Sequence, residues 1–137
     1  MSLSSIESIV KTGNEDNYEL IGRYGEVFEA FDVTNNKRCA LKVLKRIRTD
    51  KVFREIDVLK RLNGGSNTNK LVDIVINNGI PTLVFQFVSH LILKHVLMDL
   101  NEYEIKLYLF KLLRAIHFAH NCVIVFSYNS FNLLVFY

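Results

Sequence analysis

The sequence predicts an α+β fold, a five-stranded antiparallel sheet carrying one packed helix and followed by further helices. Three observations predict it. Five short runs rich in β-branched and aromatic residues precede residue 86, one stretch of helical apolar spacing interrupts them, and from Leu91 onward the period becomes helical. No internal repeat or flexible linker divides the chain.

The elements follow in order. Tyr18–Gly22 and Glu26–Phe31 alternate polar with β-branched or aromatic residues and are separated by Arg23, Tyr24 and Gly25, which reads as a hairpin. Thr34-Asn35-Asn36-Lys37 is turn chemistry, because Asn tolerates the left-handed backbone of a tight turn, and Cys39–Leu44 is the third strand. Asp50 is placed to cap a helix with apolar positions Phe53, Ile56, Leu59 and Leu62, which Gly64-Gly65 stops. Leu71–Ile76 and Pro81–Phe85 are the last two strands, joined through Asn77-Asn78-Gly79. Leu91–Met98 is a short helical candidate. Asn101-Glu-Tyr-Glu104 then has the form of a capping box, opening a longer helix whose stripe is Ile105, Tyr108, Leu109, Leu112, Ile116 and Ala119.

Composition narrows the function classes. The chain has 137 residues, 50% hydrophobic and 23% charged, enough for one globular domain and too apolar for general disorder. A net charge of +3, spread along the first hundred residues, does not argue for a nucleic-acid partner. Cys39 and Cys122 lie far apart with no disulfide or zinc pattern, and Met1–Asn17 has no apolar signal segment, so the expected location is intracellular, in cytoplasm or nucleus. The last acid is Glu104 and the last base Arg114. The uncharged stretch Val123–Tyr137 is interrupted by Ser and Asn and falls short of the about 20 apolar residues of a membrane span.

Three groups of residues could carry chemistry. Gly22 and Gly25 bracket a hairpin where backbone amides can approach a phosphate, although a purely structural turn has the same glycines. Lys42 stands on the third strand, on the face opposite Leu41, and Glu55 lies one helix later; a carboxylate partner would aim the ammonium at an anion. His117, His120 and Cys122 sit close in sequence but lack a carboxylate or second cysteine, so no metal site is expected.

The order of these parts resembles the N-terminal lobe of eukaryotic protein kinases, in which a Gly-bounded hairpin, Ala-x-Lys on the third strand and an Arg-Glu helix recur. Within that family the sequence is most similar to the casein kinase II catalytic (α) type. Gly25-Glu-Val-Phe-Glu-Ala30, Thr34-Asn-Asn36, Leu41-Lys-Val-Leu-Lys45, Arg54-Glu-Ile56, Gly64-Gly65, Asp73-Ile-Val75 and Leu83-Val-Phe85 carry the likeness, and Asn101–His120 extends it more loosely. It covers about three quarters of the chain.

The resemblance implies a serine/threonine protein kinase that binds ATP, with magnesium brought only by the nucleotide. Ile21, Val27 and Ala40 would roof the adenine, Gly22 and Gly25 would bound the phosphate loop, Lys42 would touch the α and β phosphates, and Glu55 would hold Lys42. Phe85 would close the back of the pocket. Gln86–Val88 would be the hinge, with Val88 contacting the adenine edge. The implied organisation is an N-terminal segment 1–17, an N-lobe 18–85, a hinge 86–88, the first C-lobe helices 89–121 and an apolar tail 122–137. A regulatory β subunit of the casein kinase II kind is the implied partner.

Departures from the pattern shape what is expected of activity. Gly22-Arg23-Tyr24-Gly25 lacks about two residues and the middle glycine of the family loop. The basic run Lys45, Arg46, Arg48 and Lys51 is interrupted by Asp50, which weakens the case for acidic substrates. Where the family has His-Arg-Asp-x-Lys-x-x-Asn, the sequence has Phe126-Ser-Tyr-Asn-Ser-Phe-Asn132-Leu. No catalytic aspartate and no metal-binding carboxylate follow Glu104, so the chain is expected to be inactive, a truncated kinase lobe whose tail has the composition of translated non-coding DNA. The alternative is a pseudokinase-like module that binds nucleotide weakly or docks the β subunit.

Overall fold

A computed structural model describes residues 13–24, 27–44, 49–77, 79–87 and 99–122. A single 3-10 turn, Glu15–Asn17, leads into β1 (Tyr18–Tyr24), β2 (Val27–Asp32) and β3 (Lys37–Val43), then helix α1 (Thr49–Leu62), strands β4 (Leu71–Asn77) and β5 (Ile80–Gln86), and helix α2 (Glu102–Asn121). The five strands form one antiparallel sheet in the order β1-β2-β3-β5-β4. The α+β class read from the sequence is the observed one.

Local chemistry explains most boundaries. Asn36 takes the left-handed conformation at φ 54°, and Asp32 holds the same turn by accepting from the Thr34 and Asn35 backbone N–H groups at 2.9 and 3.1 Å. Gly64 at φ 105° unwinds the chain after α1, and the buried Thr68 hydroxyl donates to the Leu62 and Gly65 carbonyls at 2.9 Å each, satisfying the helix end. Gly79 at φ 75° turns β4 back into β5, with Asn77 opposite Ile80.

Two expectations are corrected in detail. Asp50 is not the cap of α1 but lies inside its first turn, where a carboxylate favours the positive end of the helix dipole. The buried side of α1 is Val52, Ile56, Leu59 and Leu62, while Phe53 flanks it half-buried; positions 52, 56 and 59 make the tighter stripe at 3.6 residues per turn. Residues 45–48, 88–98 and 123–137, which include the diluted basic run, the Leu91–Met98 helix and the uncharged tail, lie outside the described residues.

The described residues fall into two compact units, one within Met1–Lys60 and Lys70–Phe87 and one within Arg61–Asn69 and Val88–Tyr137. In the first, residues paired across strands share a face, so the sheet has two distinct sides. One side carries the cluster Ala30, Cys39, Leu41, Val75 and Val84, flanked by Tyr18 and Phe28. Tyr18 reaches across the sheet to donate to Asp73 Oδ2 at 2.8 Å, and burial followed by that carboxylate pushes its phenol pKa up. Gly13 N–H donates to the Ile74 carbonyl at 2.8 Å beside the same Asp73, an approach so close that a Cβ at residue 13 would meet the carboxylate.

In the second unit, α2 opens with the capping box expected of it. Asn101 Oδ1 accepts from Glu104 N–H at 3.0 Å, and the Glu104 carboxylate accepts from Asn101 N–H at 2.9 Å. The buried residues of α2 are Ala115 and Ala119, with Tyr108, Leu112 and Ile116 half-buried beside them. Ile105 and Leu109, expected in the buried stripe, are 43% and 48% exposed. Small residues face inward because neighbours come close: a Cβ on Gly65 would lie 2.3 Å from the Phe118 ring.

Candidate functional site

The register places the predicted residues on the side of the sheet opposite the Cys39 cluster. Val27 is paired with Lys42, Glu29 with Ala40, Ala40 with Phe85, and Lys42 with Leu83. Val27, Ala40, Lys42, Leu83 and Phe85 therefore share one face, with Leu83 and Phe85 buried and Val27 and Ala40 half-buried. Helix α1 lies on this face, because Glu55 reaches the strand.

Lys42 and Glu55 meet as the sequence spacing suggested. Lys42 Nζ donates to Glu55 Oε1 at 2.7 Å, and the two side chains are 35% and 21% exposed. A charge-assisted bond of this length fixes the ammonium, while its partial exposure leaves donors free to meet an incoming anion. Ala40 contributes a small, half-buried side chain on the same face.

The remaining predicted residues are placed more loosely. Ile21 sits where the β1–β2 register shifts between Leu20 and Gly22, and is 55% exposed. Gly22 is paired with Glu29. β1 and β2 stay paired to Tyr24 opposite Val27, so the connection between them holds only Gly25 and Glu26. Gln86 is the last residue of β5, paired with Cys39, and its N–H donates to the Lys70 carbonyl at 3.0 Å. Gly25 and Val88 lie outside the described residues.

Sequence reasoning passed over one group on the same face. Glu29 is buried at 4% exposure and accepts an ion-paired hydrogen bond from Arg38 Nη2, whose guanidinium also lies over the Phe87 ring at 4.5 Å from its centre. The signal available was the β2–β3 register itself, which sets Glu29 opposite Ala40 and one pleat from Arg38.

His117, His120 and Cys122 are not gathered into a ligand set. His117 Nε2 pairs with Asn121 Nδ2 at 3.2 Å, Cys122 Sγ contacts the Arg61 carbonyl at 3.7 Å, and among the described residues no three His, Cys, Asp or Glu groups converge. Phe110, Leu113, Arg114, His117 and Phe118 instead line a cavity of about 430 Å³ in the second unit. Among the described residues no helix is long and apolar enough to cross a membrane.

Comparison with known families agrees with this arrangement. The family model for the protein kinase domain matches residues 20–127, from within β1 through the sheet, α1 and α2. That family uses ATP as phosphoryl donor and magnesium with it. With most of the sequence matched, and with the sheet and helix order that the match requires observed, the chain belongs to the protein kinase domain family.

Proposed function

We propose that the chain is a casein kinase II-type serine/threonine kinase sequence that binds ATP on the Lys42 face of its sheet but does not transfer phosphate as a polypeptide of these 137 residues. The observation that carries the binding half is the 2.7 Å Lys42–Glu55 ion pair beside the small Ala40 and buried Phe85. In this reading Lys42 meets the α and β phosphates, Glu55 holds it there, and Ile21, Val27 and Ala40 cover the adenine while Phe85 limits the pocket at the back. Gly22 and Gly25 bound a phosphate loop about two residues shorter than the family's, which weakens the grip on ATP. Residues 18–85 are the nucleotide lobe, 86–88 the hinge, 89–121 the first helices of the second lobe, and 122–137 a departure from the family pattern.

The inactive half rests on residue chemistry. Bound ATP supplies the phosphoryl group and carries magnesium, and the family mechanism needs one carboxylate for the substrate hydroxyl and another for the metal. Phe126–Leu133, which stands where the family loop would hold the first of these, contains no Asp or Glu. Incubation with ATP, magnesium and a casein-like peptide is expected to give no labelled product. Turnover abolished by Lys42→Ala would overturn this.

A second reading has its own observation. Leu20 is 64% exposed on the sheet face that also carries the half-buried Phe28, an apolar surface suited to a protein partner. Docking of a regulatory β subunit there, without turnover, is the non-catalytic alternative, and pull-down of that subunit lost in Leu20→Lys would support it.

A further inference from the structure

The two sides of the sheet are covered differently. Helix α1 lies over the Lys42 side, where Glu55 reaches the strand. The opposite side carries Ala30, Cys39, Leu41, Val75 and Val84, of which Ala30 and Val84 are fully buried. Among the described residues, the segment 13–18 is what passes from one sheet edge to the other. Gly13 bonds to Ile74 on β4 at one edge, the Asn17 carbonyl accepts from Val33 N–H at 2.9 Å just past β2, and Tyr18 opens β1 at the other edge with its ring against the cluster.

One carboxylate holds this segment. Asp73, paired with Val84 on the cluster side, accepts from the Tyr18 hydroxyl with Oδ2 and from the Ile74 N–H with Oδ1, each at 2.8 Å. The Ile74 carbonyl in turn accepts from Gly13 N–H at 2.8 Å. In an antiparallel strand the N–H and C=O of one residue point the same way, so both outward groups of Ile74, midway along the edge strand β4, are taken. Val72, the neighbouring outward position, is where the register with β5 shifts, and it is 54% exposed. A Cβ on residue 13 would collide with Asp73 Oδ2 and push the carboxylate off Tyr18, so the close approach requires glycine.

We propose that Gly13, Tyr18 and Asp73 form a clasp whose closed state seals the Cys39 side of the sheet and the middle of the β4 edge. When it opens, Leu71–Asn77, an apolar strand with Asp73 as its only charge, is free to pair with the same strand of a second copy. The clasp does not rest on the nucleotide-binding reading.

The test uses the full chain with Cys122→Ser, which leaves Cys39 as the single thiol. Cys39 is 4% exposed, so a maleimide reaches it only when its cover opens. Tyr18→Phe, which removes one hydroxyl, is expected to speed labelling about tenfold, the scale of one hydrogen bond to a charged group. The rate should stay nearly flat in low urea, because a local opening exposes little surface. Gly13→Ala is expected to act alike, and the double variant to gain less than the product of the two effects, since both work through one carboxylate. Unchanged labelling in either single variant, a multiplicative double variant, or a rate that climbs with urea as global unfolding does, overturns the clasp. If Tyr18→Phe loses its sheet signal by circular dichroism, Gly13→Ala decides.

Sedimentation velocity then tests the edge. Tyr18→Phe is expected to self-associate more than the unclasped strand's parent chain, and Val72→Lys added to it to reverse that association while labelling stays fast. No added association in Tyr18→Phe, or association that Val72→Lys leaves in place, overturns the role of the edge.

Discussion

Asp32 shows how much one carboxylate can organise. Its Oδ1 accepts from Thr34 N–H, Thr34 Oγ1 and Asn35 N–H, and its Oδ2 accepts from Asn35 Nδ2 at 2.7 Å. Burial acts to raise its pKa, but the hydrogen bonds from Thr34 and Asn35 outweigh burial and hold it below the usual carboxylate value. The depressed value means that the folded state binds this proton less readily than the unfolded chain. Its stabilisation is therefore complete above about pH 4 and lost as pH falls through the folded value. Asp32→Ala should cost about 1–3 kcal/mol at neutral pH, and thermal melts should show the gap from wild type narrowing on acidification. A gap independent of pH would show that the charge is not what the turn uses.

The same scale shows why parts of the site were legible and others were not. Lys42 and Glu55 could be paired from sequence because each stands on a periodic element at a recognisable spacing. Glu29 reads there as an ordinary polar residue of an alternating strand; its ion pair comes from Arg38 on the neighbouring strand, which local pattern does not announce. Tyr18 and Asp73 are 55 positions apart, and no local pattern announces their bond.

Among elements, α2 was predicted best at its start and worst along its face. The Asn101–Glu104 box is chemistry within four residues, so sequence shows it directly. Asn101→Ala should lower stability by about 1 kcal/mol, read as an earlier loss of helical signal in urea, whereas Glu102→Ala, whose carboxylate pairs with Lys106 at the exposed surface, should change it by about 0.5 kcal/mol or less. Equal effects from the two would mean that the reciprocal cap adds nothing. The buried face was read correctly at Ala119 but misread at Ile105 and Leu109, where apolar bulk was counted, and at Ala115, a small residue left out of the stripe that the helix turns inward. Phe110 and Leu113 consequently stand 56% and 63% exposed. The turns at Asn36, Gly64 and Gly79 were legible for the opposite reason, since a positive φ leaves few residue types to choose from.

At the scale of the molecule, sheet order follows from short-range rules: hairpins join β1 to β2 and β4 to β5, and β5 completes the sheet against β3. That arrangement brings Lys42, Ala40 and Phe85 onto one face and sets Glu55 over it, which is the geometry the kinase family match accompanies. Under the proposed function, Phe126–Leu133 lacks the carboxylate that the family loop supplies, so binding and turnover are expected to separate. The most direct measurement is a calorimetric titration of the full chain with ATP and magnesium, in wild type and Lys42→Ala. The account predicts saturable binding at one site, weakened about tenfold or more by the substitution, the scale of one charge-assisted contact to phosphate. No binding by wild type, or equal affinity in Lys42→Ala, would contradict it.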